Sequence, residues 1–327
     1  MKVIVIGYGS AGKRFIQILS KINGMEISVC TKRNYDNFLK TKKCTIIKNL
    51  HDTNLKDFDF GIISNETSFH LKTALYLTKY KIPFLLEKPI SNKINDVKKL
   101  LQEVRKNNLI TLMGCNLRFH PCIIKIKELL MDKKIGKILS VKVENGSYLP
   151  DWHPDENYAH SYASKKILGG GVLFTSIHEI DYLYWFFGNV QQIKSITRKL
   201  SNLQIDTDDL STSIMVFKND IICELHLDFF QQYPSRSCKI IGDKGIIYWD
   251  MEINSVKIYN SSNKKWKKEL SLKNFTMDYT YKKEINYFIN CLKKHKKTIN
   301  PVDDGFQVLQ IALAILRSSN KNKTVQL

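Results

Sequence analysis

A chain of 327 residues, 43% apolar and 11% aromatic, carries enough material for about two domains with buried cores, which excludes wholesale disorder. No apolar run approaches the roughly 18 residues of a membrane span, and the short run at Val3–Ile6 stops in glycines, so the chain reads as cytoplasmic with no membrane partner. The formal charge of +20 is spread in short lysine runs without a zinc-finger, helix-turn-helix or RNP-like signature, which argues for a solvated basic surface and against nucleic acid.

The first third alternates short apolar runs with helical patterns. KVIVI (2–6) reads as a buried strand and 10–22 as a helix; further strands are expected at 26–30, 60–64, 83–87 and 110–115. Helices are expected near 67–80 and 91–107, the second with Ser91 as N-cap. Continuous apolar strands alternating with helices predict a parallel, doubly wound sheet covered on both faces.

Between the first strand and helix lies Gly7-Tyr8-Gly9-Ser10-Ala11-Gly12. Such a loop cradles a dinucleotide pyrophosphate: Gly7 permits the turn, Gly9 lets phosphate approach the backbone, and Gly12 allows close packing. An acid is expected at the end of the second strand to hold the ribose 2′-hydroxyl of NAD. That place reads Thr31-Lys32-Arg33, a hydroxyl with two cations, which suits a 2′-phosphate and favours NADP over NAD.

At the end of the 83–87 strand stand Glu87, Lys88 and Pro89. Ligands of doubly wound sheets bind at this carboxyl edge, where a lysine is able to meet a nicotinamide and a substrate oxygen. After residue 117 the rhythm changes. A helix at 121–131 precedes an alternating strand at 137–149, a Gly-rich segment, a helix at 175–187 and a series of strands from 190 to 270. In 221–229, Glu224, His226 and Asp228 share one face and Leu225, Leu227 and Phe229 the other, as in an antiparallel sheet with one polar face. Two helices, 279–295 and 303–318, close the chain. The organisation is a dinucleotide-binding domain at 1–117 and an α+β domain at 118–327.

The loop 147–166 is rich in aromatic, hydroxyl and basic groups; Tyr148, Trp152, His153, Tyr158 and Lys165 suit a sugar, including an anionic one. The seven cysteines include no C-x-x-C pair, and HEIDY at 178–182 lacks the second histidine of a zinc motif, so no metal is expected.

Taken in order, the glycine loop, SNETSFH (64–70), EKP (87–89), GCNLRFHP (114–121), GGGVLFTSIHEIDYLYWFFG (169–188) and IIGDKGIIYWD (240–250) resemble the Gfo/Idh/MocA oxidoreductases along the whole chain. The resemblance implies a Rossmann domain followed by an α+β domain on a mainly antiparallel open sheet, which mediates a homodimer or homotetramer. It also implies hydride transfer between a nicotinamide cofactor and a sugar, cyclitol or sugar-nucleotide hydroxyl, in the version linked to bacterial surface-glycan and nonulosonic-acid pathways. Lys88 is then the group on the reacting oxygen and His178 the acid/base. Asn65, Thr67, His70, Glu87, Lys88 and Asn116 match cofactor positions, and Arg118 the substrate cleft. One departure stands out. Where the family usually carries an Asp shortly before the histidine, this chain has Thr175, and a threonine cannot stabilise an imidazolium as a carboxylate does. Asp181, one turn beyond His178, is placed to orient it or to make an interdomain contact. A second reading, a dinucleotide-binding sensor or assembly protein without turnover, rests on Thr175.

Overall fold

The computed structural model describes residues 1–154 and 156–327. Among these the chain forms two compact units, Met1–Asn116 with Thr280–Phe306 and Leu117–Tyr279 with Gln307–Leu327. Thr280–Phe306 thus belongs with the first unit, although the sequence reading assigns it to the second domain. The physical reason is an apolar stripe. Ile285, Phe288 and Ile289, spaced three and four residues apart, bury against Val3, Phe15 and Phe60. The same stretch lies along the last parallel strand, where Met113 N–H donates to Asn300 O (2.8 Å) and Thr298 Oγ1 to Thr111 O (2.5 Å).

In the first unit β1 (Lys2–Ile6), α1 (Ser10–Leu19), β2 (Glu26–Cys30), α2 (Asn37–Thr41), β3 (Thr45–Ile47), β4 (Phe60–Ile63), α3 (Thr67–Lys79), β5 (Phe84–Glu87), α4 (Val97–Lys106) and β6 (Thr111–Gly114) follow one another. The strands pair in parallel in the order β3-β2-β1-β4-β5-β6, the doubly wound sheet anticipated from the apolar runs. Every residue of β4, β5 and β6 is buried, as helices on the faces of a parallel sheet require. Strand β3 is missing from the sequence reading: it has three residues, none fully buried, at the sheet edge. Ser91 accepts from the Lys93 N–H and caps a turn there, so α4 begins later, at Val97.

The second unit opens with α5 (Pro121–Met131) and β7 (Ile138–Gly146), followed by short 3-10 turns at Leu149–Trp152, Tyr158–His160, Tyr162–Ser164 and Lys166–Leu168. Next come α6 (Val172–Thr175), α7 (His178–Phe187), β8 (Val190–Arg198), β9 (Leu210–Phe217), β10 (Ile222–Asp228), β11 (Ser235–Gly242), β12 (Gly245–Asp250), β13 (Ser255–Asn260) and β14 (Lys265–Ser271). Helix α8 (Asp278–Lys293) belongs almost wholly to the first unit, and α9 (Val302–Lys321) leads to β15 (Val325–Gln326) of the second. The nine described strands run β14-β13-β12-β11-β7-β10-β9-β8-β15. All pairs are antiparallel except β7 with β10. The helix expected at 175–187 is α7, which begins at His178; a separate short helix, α6, precedes it and ends where Ser176 leaves helical geometry at φ −93°, ψ 28°.

One face of this sheet is less polar than 221–229 suggests. Cross-strand partners place Val216, Ile222, Ile241, Ile246, Tyr259 and Trp266 in one row, with only Ser140 interrupting it. Trp266 is 51% exposed. Asp228 turns inward, held by the N–H groups of Phe230 and Gln231 and by His226. Among the described residues no helix is long and apolar enough to cross a membrane.

Candidate active site

The glycine loop sits where β1 hands over to α1, and each glycine has its own reason. Gly7 has φ +108°, and a Cβ there would collide with the backbone of Ser64 and Asn65. Gly12 would drive a Cβ into the Gly7 carbonyl. Gly9 is the opposite case: nothing lies within 4 Å of its missing side chain. It is also the N-cap of α1 without a side-chain acceptor, and exposed Ser10 and half-buried Ala11 follow it. The first-turn N–H groups, at the positive end of the helix, are therefore left for an anion.

Tyr8, between the first two glycines, points inward and is 4% exposed. Its hydroxyl donates to both carboxylate oxygens of Asp36 (2.9 and 2.8 Å), which in turn caps α2 through Leu39 N–H (3.0 Å). Burial, then Asp36, pushes the Tyr8 pKa up. The Leu39 N–H and the Tyr8 hydroxyl hold the Asp36 carboxyl below its usual range. A carboxylate thus returns to the glycine loop although none follows β2 directly. Sequence reasoning missed Asp36; its signal is an aromatic hydroxyl inside the glycine loop together with an Asp-Asn cap six residues past the strand. Beside it, Thr31 accepts from Arg33 N–H (3.1 Å), and Lys48, also missed, donates to Arg33 O (2.7 Å). Lys32, Arg33 and Lys48 are exposed.

Further along the carboxyl edge of the same sheet, Asn65 donates to Thr73 (3.0 Å), and its buried Oδ1 has no partner among the described residues. Glu87, the last residue of β5, accepts from Lys88 N–H through Oε2 (3.2 Å), while its buried Oε1 likewise has no partner. A side chain at Gly114 would crowd Glu87. Lys88 is half-buried and Thr67 opens α3, itself buried. Two orphaned oxygens on one edge, one and two strands away from an open helix N-terminus, fit the donor groups and the pyrophosphate of a nicotinamide dinucleotide. His70 and Asn116 are interior instead. His70 is 1% exposed between two backbone carbonyls, and the Asn116 amide donates to Thr280 (2.8 Å).

Burial raises the Glu87 pKa to about 7, against the opposing pull of Lys88 and Arg14. The folded chain therefore keeps a proton that the unfolded chain releases near 4.5. This contribution to stability is complete below that value and is lost as pH rises to about 7. The isosteric Glu87→Gln removes the titration. Between about pH 5 and pH 8 the wild type is expected to lose about 3 kcal/mol relative to this variant in denaturant unfolding. A difference that does not change with pH contradicts the assignment.

In the second unit, residues 169–183 are buried except His178, the half-buried first residue of α7. Two ion pairs, one buried and one partly buried, hold this helix. Arg118 donates from Nε and an Nη to the two oxygens of Asp181 (both 2.9 Å), and Arg236 donates to Glu179 (2.6 Å). Arg118 is 1% exposed, so the residue assigned to the substrate by resemblance is an internal brace, and Asp181 is its counter-ion. Thr175 ends α6, with its N–H on Gly171 O (3.0 Å). Asp208 accepts from Leu173 N–H (3.3 Å) at the start of that helix.

The substrate-loop residues are largely engaged within their own unit. Trp152 donates to Ser147 (2.9 Å) and meets Phe229 edge-on, and the Tyr158 hydroxyl accepts from Gln204 N–H (3.2 Å). Tyr148 and Lys165 are half-buried and His153 is exposed. Among the described residues no group of three or more His, Cys, Asp or Glu side chains is placed to hold a metal ion.

Comparison with known proteins agrees with this geometry. Residues 1–115 match the model of the oxidoreductase family NAD-binding Rossmann fold, and 127–327 that of the oxidoreductase family C-terminal alpha/beta domain. The myo-inositol 2-dehydrogenase of Thermotoga maritima is 23% identical over 340 residues, covering 100% of this chain and 98% of that one. The 2,7-anhydro-N-acetylneuraminate hydratase of Mediterraneibacter gnavus is 23% identical over 257 residues, covering 76% and 66%. A levoglucosan dehydrogenase solved with NADH superimposes with a TM-score of 0.89 over 100% of this chain and 98% of that one, at 17% identity. With both of its domains matched, the chain belongs to the Gfo/Idh/MocA family of NAD(P)-dependent oxidoreductases.

Proposed function

We propose that the protein oxidises a CH–OH group of an anionic sugar or sugar nucleotide, or reduces the corresponding carbonyl, with a nicotinamide dinucleotide as redox partner. The observation that carries this reading is the layout of one sheet edge. The open N-terminus of α1 at Gly9 and the Glu87-Lys88-Pro89 turn after β5 lie on the same carboxyl edge. When bound, the nicotinamide supplies the hydride acceptor or donor. The glycine loop and α1 N-terminus would hold the pyrophosphate of the dinucleotide, and Asn65 Oδ1 and, once ionised, Glu87 Oε1 would accept from its polar groups. Lys88 steadies negative charge on the substrate oxygen, worth the few kcal/mol typical of an oriented donor. His178 takes the hydroxyl proton in oxidation and returns it in reduction, a duty suited to imidazole. Thr175 contributes a hydroxyl and no charge, which favours a substrate bringing an anionic group of its own. Lys165 and the basic surface support that class, as does the relative named for an N-acetylneuraminate derivative. We place the substrate in bacterial surface-glycan or nonulosonic-acid metabolism.

For the cofactor, Lys32, Arg33 and Lys48 around the end of β2 favour the 2′-phosphate of NADP, while Asp36 opposes it. Arg33→Ala is expected to weaken NADPH binding roughly tenfold, about 1.4 kcal/mol, and NADH little. Equal weakening of both in a fluorescence titration contradicts a 2′-phosphate contact.

The apolar row of the open sheet, from Val216 to Trp266, supports association of copies of the chain into a homodimer or a homotetramer. The test of function is to identify the co-purifying cofactor and follow its absorbance against UDP-, GDP- and CMP-sugars and free acidic sugars. Turnover with one of them supports the proposal. Cofactor binding without any turnover favours the second reading, a sensor in which Thr175 marks lost chemistry.

A further inference from the structure

His70 is in an unusual position for a histidine. It lies in the first turn of α3, 1% exposed, with Nδ1 2.6 Å from Pro89 O and Nε2 2.9 Å from Asn65 O. A carbonyl oxygen only accepts. A neutral imidazole, with one N–H, satisfies one of these contacts, and only the imidazolium donates to both. The two carbonyls belong to the turn carrying the cofactor-facing Asn65 and to the turn carrying Lys88.

We propose that His70 is the positioning residue of the Lys88 turn, tying it to the Asn65 turn through two backbone carbonyls and closing the second half of the tie when it takes up a proton. The role of Lys88 on the substrate oxygen is that of the proposed function, on which this inference rests. Burial pushes the His70 pKa down, the two carbonyl contacts push it up, and the balance lies below the ordinary histidine range. The charged groups acting on it are Lys88, from the turn after β5, which disfavours its charge, and Glu66, preceding α3, which favours it. The tie is therefore one-sided at neutral pH and becomes two-sided only as pH falls below the ordinary histidine range.

The amides reporting on this are known from the covalent structure. Asn65 O shares a peptide unit with Glu66 N–H, and Pro89 O with Ile90 N–H. In a ¹⁵N NMR titration of the full chain, the Glu66 and Ile90 amides are expected to shift with the single midpoint at which the His70 ring gains its second proton. His70→Gln, which keeps one donor and cannot titrate, is expected to lose that shared midpoint. Amides that stay still while the His70 ring titrates, or that move identically in His70→Gln, overturn the proposal; if the variant does not fold, the wild-type titration alone decides. Repeating the titration with NADPH and with NADH separates the two readings. Absence of any change with either cofactor counts against the oxidoreductase assignment, whereas the tie is judged by the shared midpoint.

Discussion

Lys88→Ala is expected to lower turnover by at least about 100-fold, or roughly 2.7 kcal/mol, while leaving the dinucleotide bound. The split follows from the layout of the first unit. On the proposed reading the pyrophosphate is held at Gly9 and the uncapped first turn of α1, a different turn from the one that carries Lys88. On that reading, what the substitution removes is a cation beside the reacting oxygen, needed most when negative charge develops there. Half-buried Lys88 follows directly on the end of β5, so its backbone is set by the sheet and an alanine fits without disturbing it. Lys88→Arg keeps the charge but spreads it over a planar fork, and it should recover only part of the rate. Cofactor affinity by fluorescence and turnover by absorbance, measured on the same preparations, check both halves. Full activity in Lys88→Ala removes the residue from the mechanism; loss of cofactor binding would make it a binding group.

The second large effect concerns α7. Removing either partner of the Arg118–Asp181 pair leaves an uncompensated charge in a fully buried place, which typically costs about 3–5 kcal/mol. Arg118→Leu or Asp181→Ala should therefore lower unfolding stability by that amount and, because His178 opens the same helix, reduce turnover as well. Replacing both partners by apolar residues, Arg118→Met with Asp181→Leu, should recover most of the stability, since no charge then remains buried. If the single variants cost less than about 1 kcal/mol in denaturant unfolding, the pair is not the brace described here. The Arg236–Glu179 pair, one residue from His178, remains in all three variants and keeps the helix anchored from β11.

Legibility from sequence followed physical scale. The glycine loop and the 2–6, 26–30, 60–64, 83–87 and 110–115 strands were readable because a buried parallel strand must be apolar throughout and a pyrophosphate turn must be glycine-rich. Strand β3 was not, since three half-exposed residues carry no period. Ser91 looked like a helix cap because its hydroxyl does cap a turn, only one that the chain leaves before α4 begins. Arg118 and Asp181 lie 63 positions apart, and no local pattern announces that their charges cancel inside the fold. The same holds for Tyr8 and Asp36: the acid that β2 seemed to lack is supplied by a tyrosine reaching across 28 residues. The return of Thr280–Phe306 to the first unit was equally hidden, because its apolar stripe fits a helix in either domain.

The central claim is hydride transfer to or from a sugar carbon, and isotope transfer tests it most directly. The purified protein is incubated with nicotinamide cofactor carrying deuterium at C4 and with oxidised forms of the candidate sugars and sugar nucleotides, and the products are weighed by mass spectrometry. The account predicts one deuterium on the carbinol carbon of the product, present with wild-type protein and lost in Lys88→Ala. Cofactor retained by the protein with its label intact, whichever sugar is offered, would contradict it.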